Sequence, residues 1–169
     1  MYNGVAMRTL IVGLGNPILG DDGIGIVVAE AVQQRLLCGA VAASSGVDDA
    51  GVEVDTECVG GLRLMERLIG YDRAIIIDAI CTGSHEPGSV LRLAVDDLPT
   101  QHSSSAHDAT LATALQLASA MGLKVPAKIT IIAVEAGYVL DFDEHLTPAV
   151  AAAVPVAVEA VLECLKEAT

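Results

Sequence analysis

The 169-residue sequence predicts an α/β fold, a three-layer αβα sandwich whose mostly parallel, twisted sheet carries helices on both faces. Three observations predict it. Short aliphatic runs alternate with helical stretches of a dozen or more residues, the order that βαβ crossovers require. Hydrophobic residues make up 53% of the chain and charged residues 18%, which supports one sizeable core. With one Phe, three Tyr and no Trp, that core must be built from Ala, Val, Ile and Leu, the mix of sheets covered on both faces.

The elements follow in order. A short lead, residues 1–7, precedes a single domain over 8–169. Residues 8–14 read as a buried strand, and the Gly-rich turn Gly15-Asn16-Pro17-Ile18-Leu19-Gly20 follows it. From Asp22, apolar residues recur at helical spacing (Ile24, Val27, Val28, Ala31, Val32) to about Leu37. Residues 38–50, rich in Gly, Ala, Ser and Asp, read as a loop. Val52 to Val59 is a second strand, and Gly60-Gly61 opens a helix through Ile69. The strongest strand signal is Ala74-Ile75-Ile76-Ile77-Asp78-Ala79-Ile80, a continuous run of the kind buried on both faces. Ser89 to Ala94 is a weaker strand at an edge, and 95–105 a polar loop. Ser105-Ala106-His107-Asp108 matches a capping box for a helix to about Met121. Lys128 to Val134 is another central strand, and Thr147 to Glu167 the final helix. There is no internal repeat and no linker.

Composition also excludes function classes. The net charge is −13, from 22 acidic and 9 basic residues, so phosphate backbones and anionic lipid surfaces are poor partners. Cations, or a basic polypeptide, suit such a surface better, and mere solubility accounts for most of this charge. Cys38, Cys58, Cys81 and Cys164 form no C-x-x-C pair, which excludes zinc-ribbon and thioredoxin spacings and any disulfide framework. No apolar run is expected to reach the roughly 18 residues of a membrane span, and Met1-Tyr2-Asn3-Gly4 lacks the positive region and cleavable apolar stretch expected of a secretory leader. The expected location is the cytoplasm.

The Gly-rich turn resembles a nucleotide-binding loop only superficially. A dinucleotide fingerprint needs a third Gly where Ile18 stands. A P-loop needs Lys and a hydroxyl where Asp21 and Asp22 stand. Two carboxylates at a helix start repel the anion that such a turn would otherwise hold. They suit a cation instead, and a carboxylate there gains about 0.3–1 kcal/mol from the helix dipole. An ordinary capping role stands beside that reading: one Asp caps while the other faces outward.

Two further residues join the argument. Asp78 ends an aliphatic run, where a carboxylate either accepts loop amides or serves an active site at the carboxyl edge of the sheet. His107 lies in a first helical turn, where the positive end of the dipole keeps imidazole neutral and ready to bind metal, unless it merely caps or meets solvent. Two carboxylates and an imidazole from three strand–helix junctions make a divalent transition-metal site with open positions. Cys81 and His85 follow Asp78 in a loop, where they could add a soft ligand, but loop placement without a role is the favoured reading. His102 and His145 have no partner at metal spacing. The absence of H-E-x-x-H and G-x-S-x-G argues against zincin and α/β-hydrolase chemistry.

Gly13-Leu14-Gly15-Asn16-Pro17-Ile18-Leu19-Gly20-Asp21-Asp22-Gly23-Ile24-Gly25 resembles the N-terminal signature of the hydrogenase maturation endopeptidases. Ile76-Ile77-Asp78-Ala79 is similar to their second block, Ser105-Ala106-His107 to their third, and Gly60-Gly61 falls at a Gly-rich stretch of the family. The resemblance covers roughly residues 8–165. It implies removal of the C-terminal extension of a [NiFe]-hydrogenase large-subunit precursor after nickel insertion. It assigns both catalysis and metal contact to Asp22, Asp78 and His107. Nickel would be recognised in the substrate, with no tightly bound organic cofactor. Several members carry Glu at the position of Asp22, a departure that bears on coordination geometry. Two rivals remain at this stage: a nickel-binding chaperone that cleaves nothing, and a peptidyl-tRNA hydrolase, which also opens on G-L-G-N-P but binds RNA that this acidic chain repels.

Overall fold

In the computed structural model, residues 7–42, 51–58, 62–97, 108–137 and 142–167 are described. Five strands form one sheet: β1 (Thr9–Leu14), β2 (Val52–Glu57), β3 (Arg73–Ile80), β4 (Val90–Ala94) and β5 (Lys128–Glu135). Their spatial order is β2-β1-β3-β5-β4. All neighbours are parallel except β4, which pairs antiparallel to β5 at the edge. The weak strand signal over 89–94 thus belongs to an edge strand, half-exposed as its composition requires. β1 and β3, both read from aliphatic runs, lie inside the sheet and are buried along their whole length.

Among the described residues, four α-helices complete the layers: α1 (Ile24–Ala42), α2 (Leu62–Leu68), α3 (Asp108–Ala120) and α4 (Pro148–Lys166). Strand side chains alternate between the faces. Ile11, Ile75, Ile77, Ile132 and Val134 pack with Val28 and Val32 of α1 and with Val150, Ala157 and Val161 of α4. Leu10, Val12, Ile76, Ile80 and Ile131 pack on the other face with Leu64 and Leu68 of α2 and Leu111 of α3. The helices therefore divide two and two across the sheet, the predicted three-layer sandwich.

Three expectations need correction. The first helix does not end at Leu37 but continues to Ala42, because Cys38-Gly39-Ala40-Val41-Ala42 offers no strong breaker and Gly39 has open space around it. It also begins later than Asp22, since Gly20–Gly23 form a separate 3₁₀ turn. Finally, α4 is long and apolar enough to cross a membrane by length and composition, contrary to the expectation of no such segment. Its charges interrupt the run without removing that character, and here its buried stripe (Val150, Ala153, Ala157, Val158, Val161, Cys164) belongs to the sandwich core.

The last turn of α4 is held from the sheet. Buried Arg73, at the start of β3, donates from Nη2 to the Cys164 carbonyl, and Arg92 of β4 pairs with Glu167 just past the helix. Cations at this end complement the helix dipole.

Candidate active site at the carboxyl edge of the sheet

The strand order creates the site. From β1 the chain crosses to β2 on one side, then returns past β1 to β3 on the other, so β1 and β3 flank the point where the winding reverses. In open α/β sheets such a switch point is where ligands bind, outside the carboxyl ends of the strands. The turn after β1 carries Asp22, and β3 carries Asp78.

Glycines bring these pieces into contact. A Cβ on Gly25 would overlap the carbonyl oxygens of Leu14 and Ile77, and one on Gly13 would overlap the carbonyl of Gly25. Backbone therefore packs on backbone where α1 crosses the ends of β1 and β3. Gly15, at φ +139°, sits so close to the Asp22 carbonyl that no side chain fits there. The G-x-G spacing serves this close approach, and the 3₁₀ turn packs against β3.

The two acids of that turn have separate jobs. Asp21 is 1% exposed and caps no helix of its own turn. Its Oδ1 accepts from the Thr147 N–H at 2.7 Å and its Oδ2 from the Thr147 hydroxyl at 3.0 Å, which ties it to the N-cap of α4. Asp22 is half-buried, and its Oδ2 accepts from the Asn16 N–H at 2.7 Å, closing the Gly-rich turn. The reading that one acid caps while the other faces outward is thus corrected: Asp21 anchors the N-cap residue of a distant helix rather than capping its own, and Asp22 is braced by its own turn.

Asp78 lies within β3, two residues before its end, and is 3% exposed. Its Oδ1 accepts from the Ala79 N–H at 2.9 Å. It shares a strand face with Ile76 and Ile80, so it points to the α2–α3 layer. His107 and its capping Ser105 lie outside the described residues. The helix that the capping box predicted is present from Asp108. Among the described residues no three His, Cys, Asp or Glu side chains are grouped as metal ligands.

Glu135 escaped the sequence reading. It ends β5 as Asp78 nears the end of β3, and the pattern that singled out Asp78, an acid closing an aliphatic run, recurs in Ile129-Thr130-Ile131-Ile132-Ala133-Val134-Glu135. The register Asp78↔Ala133 and Ile80↔Glu135 makes the two acids diagonal neighbours on one face. Glu135 is 1% exposed, yet its Oε1 accepts from the Thr82 and Gly83 N–H groups at 2.7 and 2.8 Å, and its Oε2 from the Thr82 hydroxyl at 2.7 Å. Three donors meet the desolvation that burial imposes on a carboxylate. The loop after β3 is fixed by this acid, beside a cleft of about 470 Å³ lined by Thr82, Glu135, Cys81 and His85 among others. Cys81 and His85 thus share a cleft wall. His145 is exposed and its Nδ1 lies 3.0 Å from Asp143 Oδ1, while His102 is outside the described residues.

Comparison with known proteins matches this architecture to one family. The hydrogenase maturation protease (HycI) family model matches residues 54–164. The Hydrogenase 2 maturation protease of Escherichia coli strain K12 is 31% identical over 165 residues, covering 95% of this chain and 92% of the relative. The chain belongs to the hydrogenase maturation protease family. The solved hydrogenase maturating endopeptidase HybD from E. coli shares its fold at a TM-score of 0.78 and 30% identity, over 96% of this chain and 94% of that one. The [NiFe] hydrogenase maturation protease HybD from Thermococcus kodakarensis aligns at a TM-score of 0.65 and 26% identity, over 94% and 99% of the two chains. As a hydrogenase maturation protease the protein is a peptide-bond hydrolase, which sets aside the chaperone and peptidyl-tRNA readings.

Proposed function

We propose that this maturation protease removes the C-terminal extension of a [NiFe]-hydrogenase large-subunit precursor once nickel is in place, and that it works in the cytoplasm. Asp22, Asp78 and His107 together sense the nickel and form the centre at which the bond is cut. The observation that carries this reading is the position of Asp22, in the turn that follows β1, and of Asp78, near the end of β3, beside the switch point where α/β folds bind ligands. The donor set suits a divalent transition metal: carboxylate oxygen from Asp22 and Asp78, and imidazole nitrogen from His107. No organic cofactor is called for.

The nickel is part of the substrate. A precursor whose own side chains already hold nickel presents open coordination positions, and the three residues here supply ligands for them. Docking then aligns the scissile peptide with the site, so cleavage waits for metal loading. A peptide bound in one orientation gains the advantage of proximity over free encounter.

The test is processing of purified precursor, nickel-loaded and metal-free, followed by mass spectrometry of the released peptide. Loaded precursor is expected to lose its extension and metal-free precursor to keep it; equal processing of both overturns the sensing role. Asp22→Asn, Asp78→Asn and His107→Ala are each expected to abolish release while the far-ultraviolet circular dichroism is retained.

A further inference from the structure

The chain contains a single Phe, and it is not in the core. Phe142 is 85% exposed, and Ile18, in the Gly-rich turn four residues before Asp22, is 46% exposed. Single exposed apolar residues are ordinary. These two are held together. The Asp143 N–H donates to the Ile18 carbonyl at 3.2 Å, the Gly20 N–H donates to the Asp143 carbonyl at 2.5 Å, and Leu19 and Asp143 form a parallel bridge. Ile18 precedes one bridged residue and Phe142 the other, so the pair are neighbours across that bridge. Asp21, gripping Thr147, pins the far end of the same segment. The segment 142–147 is therefore a strap fastened across the turn that bears Asp22, and it presents an aromatic ring to solvent.

We propose that Ile18 and Phe142 form an apolar docking rim beside Asp22, covered in the complex by an apolar patch of the precursor next to its scissile segment. The inference rests on the proteolytic reading above, which also identifies the occupant. A polypeptide whose bond reaches Asp22 must pass over residues that share its turn. A ring of this size buries about 150–250 Å² on contact, enough for a residue that governs affinity.

The test uses the full chain, nickel-loaded precursor, and the variants Phe142→Ser and Ile18→Ser. The expected result is a KM for precursor raised about tenfold in Phe142→Ser, with kcat within about twofold of the parent. The thermal midpoint is expected to stay in place, because the ring has almost no folded-state contacts to lose. Ile18→Ser should show a smaller change of the same kind. An unchanged KM in Phe142→Ser overturns the rim. So does a parent protein that sediments as a dimer and a variant that does not, since the occupant would then be a second copy. Release of no peptide by the parent protein would instead defeat the proteolytic reading. In that case calorimetric titration of precursor into parent and variant still decides the rim: equal affinity removes it.

Discussion

The adjacent acids Asp21 and Asp22 should fail in opposite ways. Asp21→Ala removes two hydrogen bonds, to the Thr147 N–H and hydroxyl, from a site that is 1% exposed. Bonds to a charged group contribute about 1.5 kcal/mol each at the low end of their range, so the loss is about 3 kcal/mol. For a chain of this size, 1 kcal/mol moves the melting midpoint about 3 °C, which gives a drop of about 9 °C. Asp22→Asn keeps an oxygen for the Asn16 N–H, so its midpoint should move by less than about 3 °C while peptide release is lost. Differential scanning calorimetry and a mass-based processing assay, run on both variants below the lower midpoint, separate the two effects. If Asp21→Ala melts with the parent, or if it folds normally and yet cleaves nothing, the two acids do not divide structural and catalytic labour. Asp21→Asn, which retains one acceptor, should fall between.

Two other predictions test the surrounding frame. Gly25→Ala drives a methyl group into the carbonyls of Leu14 and Ile77, which are backbone and cannot swing aside. The cost should be about 3 kcal/mol or more, read as a loss of soluble, folded protein on expression. Acid sensitivity should be traceable in part to Glu53, whose carboxyl lies below its ordinary 4.5 because the Tyr71 hydroxyl and then the Arg67 guanidinium bond to it. A depressed folded value means that this stabilisation is present above 4.5 and is lost as pH falls through the lower folded value. Urea midpoints of Glu53→Gln should therefore fall less than those of the parent between neutral pH and the range below 4.5. Parallel curves would remove Glu53 from the acid response.

Much of this molecule is legible in its sequence, and for local reasons. The run Ile75-Ile76-Ile77 has no polar face, so a strand buried on both sides is its one comfortable environment, and β3 is that strand. The turn Gly13 to Gly25 is equally readable, because its glycines answer to close approaches of neighbouring backbone. What escaped depends on distant partners. Asp21 looks like any helix cap until Thr147, 126 positions later, is seen to receive it. Glu135 looks like the end of a strand until Thr82 and Gly83 arrive from another loop to bind it. The true end of α1 was missed for a different reason: Gly39 and its small neighbours resemble loop composition, but a solvent-facing helix tolerates one Gly at about 1 kcal/mol.

The fastening of the Asp22 turn to the strap before α4 also sets an order of events. A ribosome delivers the Gly-rich turn first and Thr147 more than a hundred residues later, so for most of its synthesis the nascent chain has the acids without the brace. The turn gains its Asp21 anchor and its neighbouring rim only when the strap arrives and α4 docks on the sheet. Completion of the fold is thereby also the moment at which the Asp22 turn is framed, and a partly made chain carries its acids without the strap that holds them.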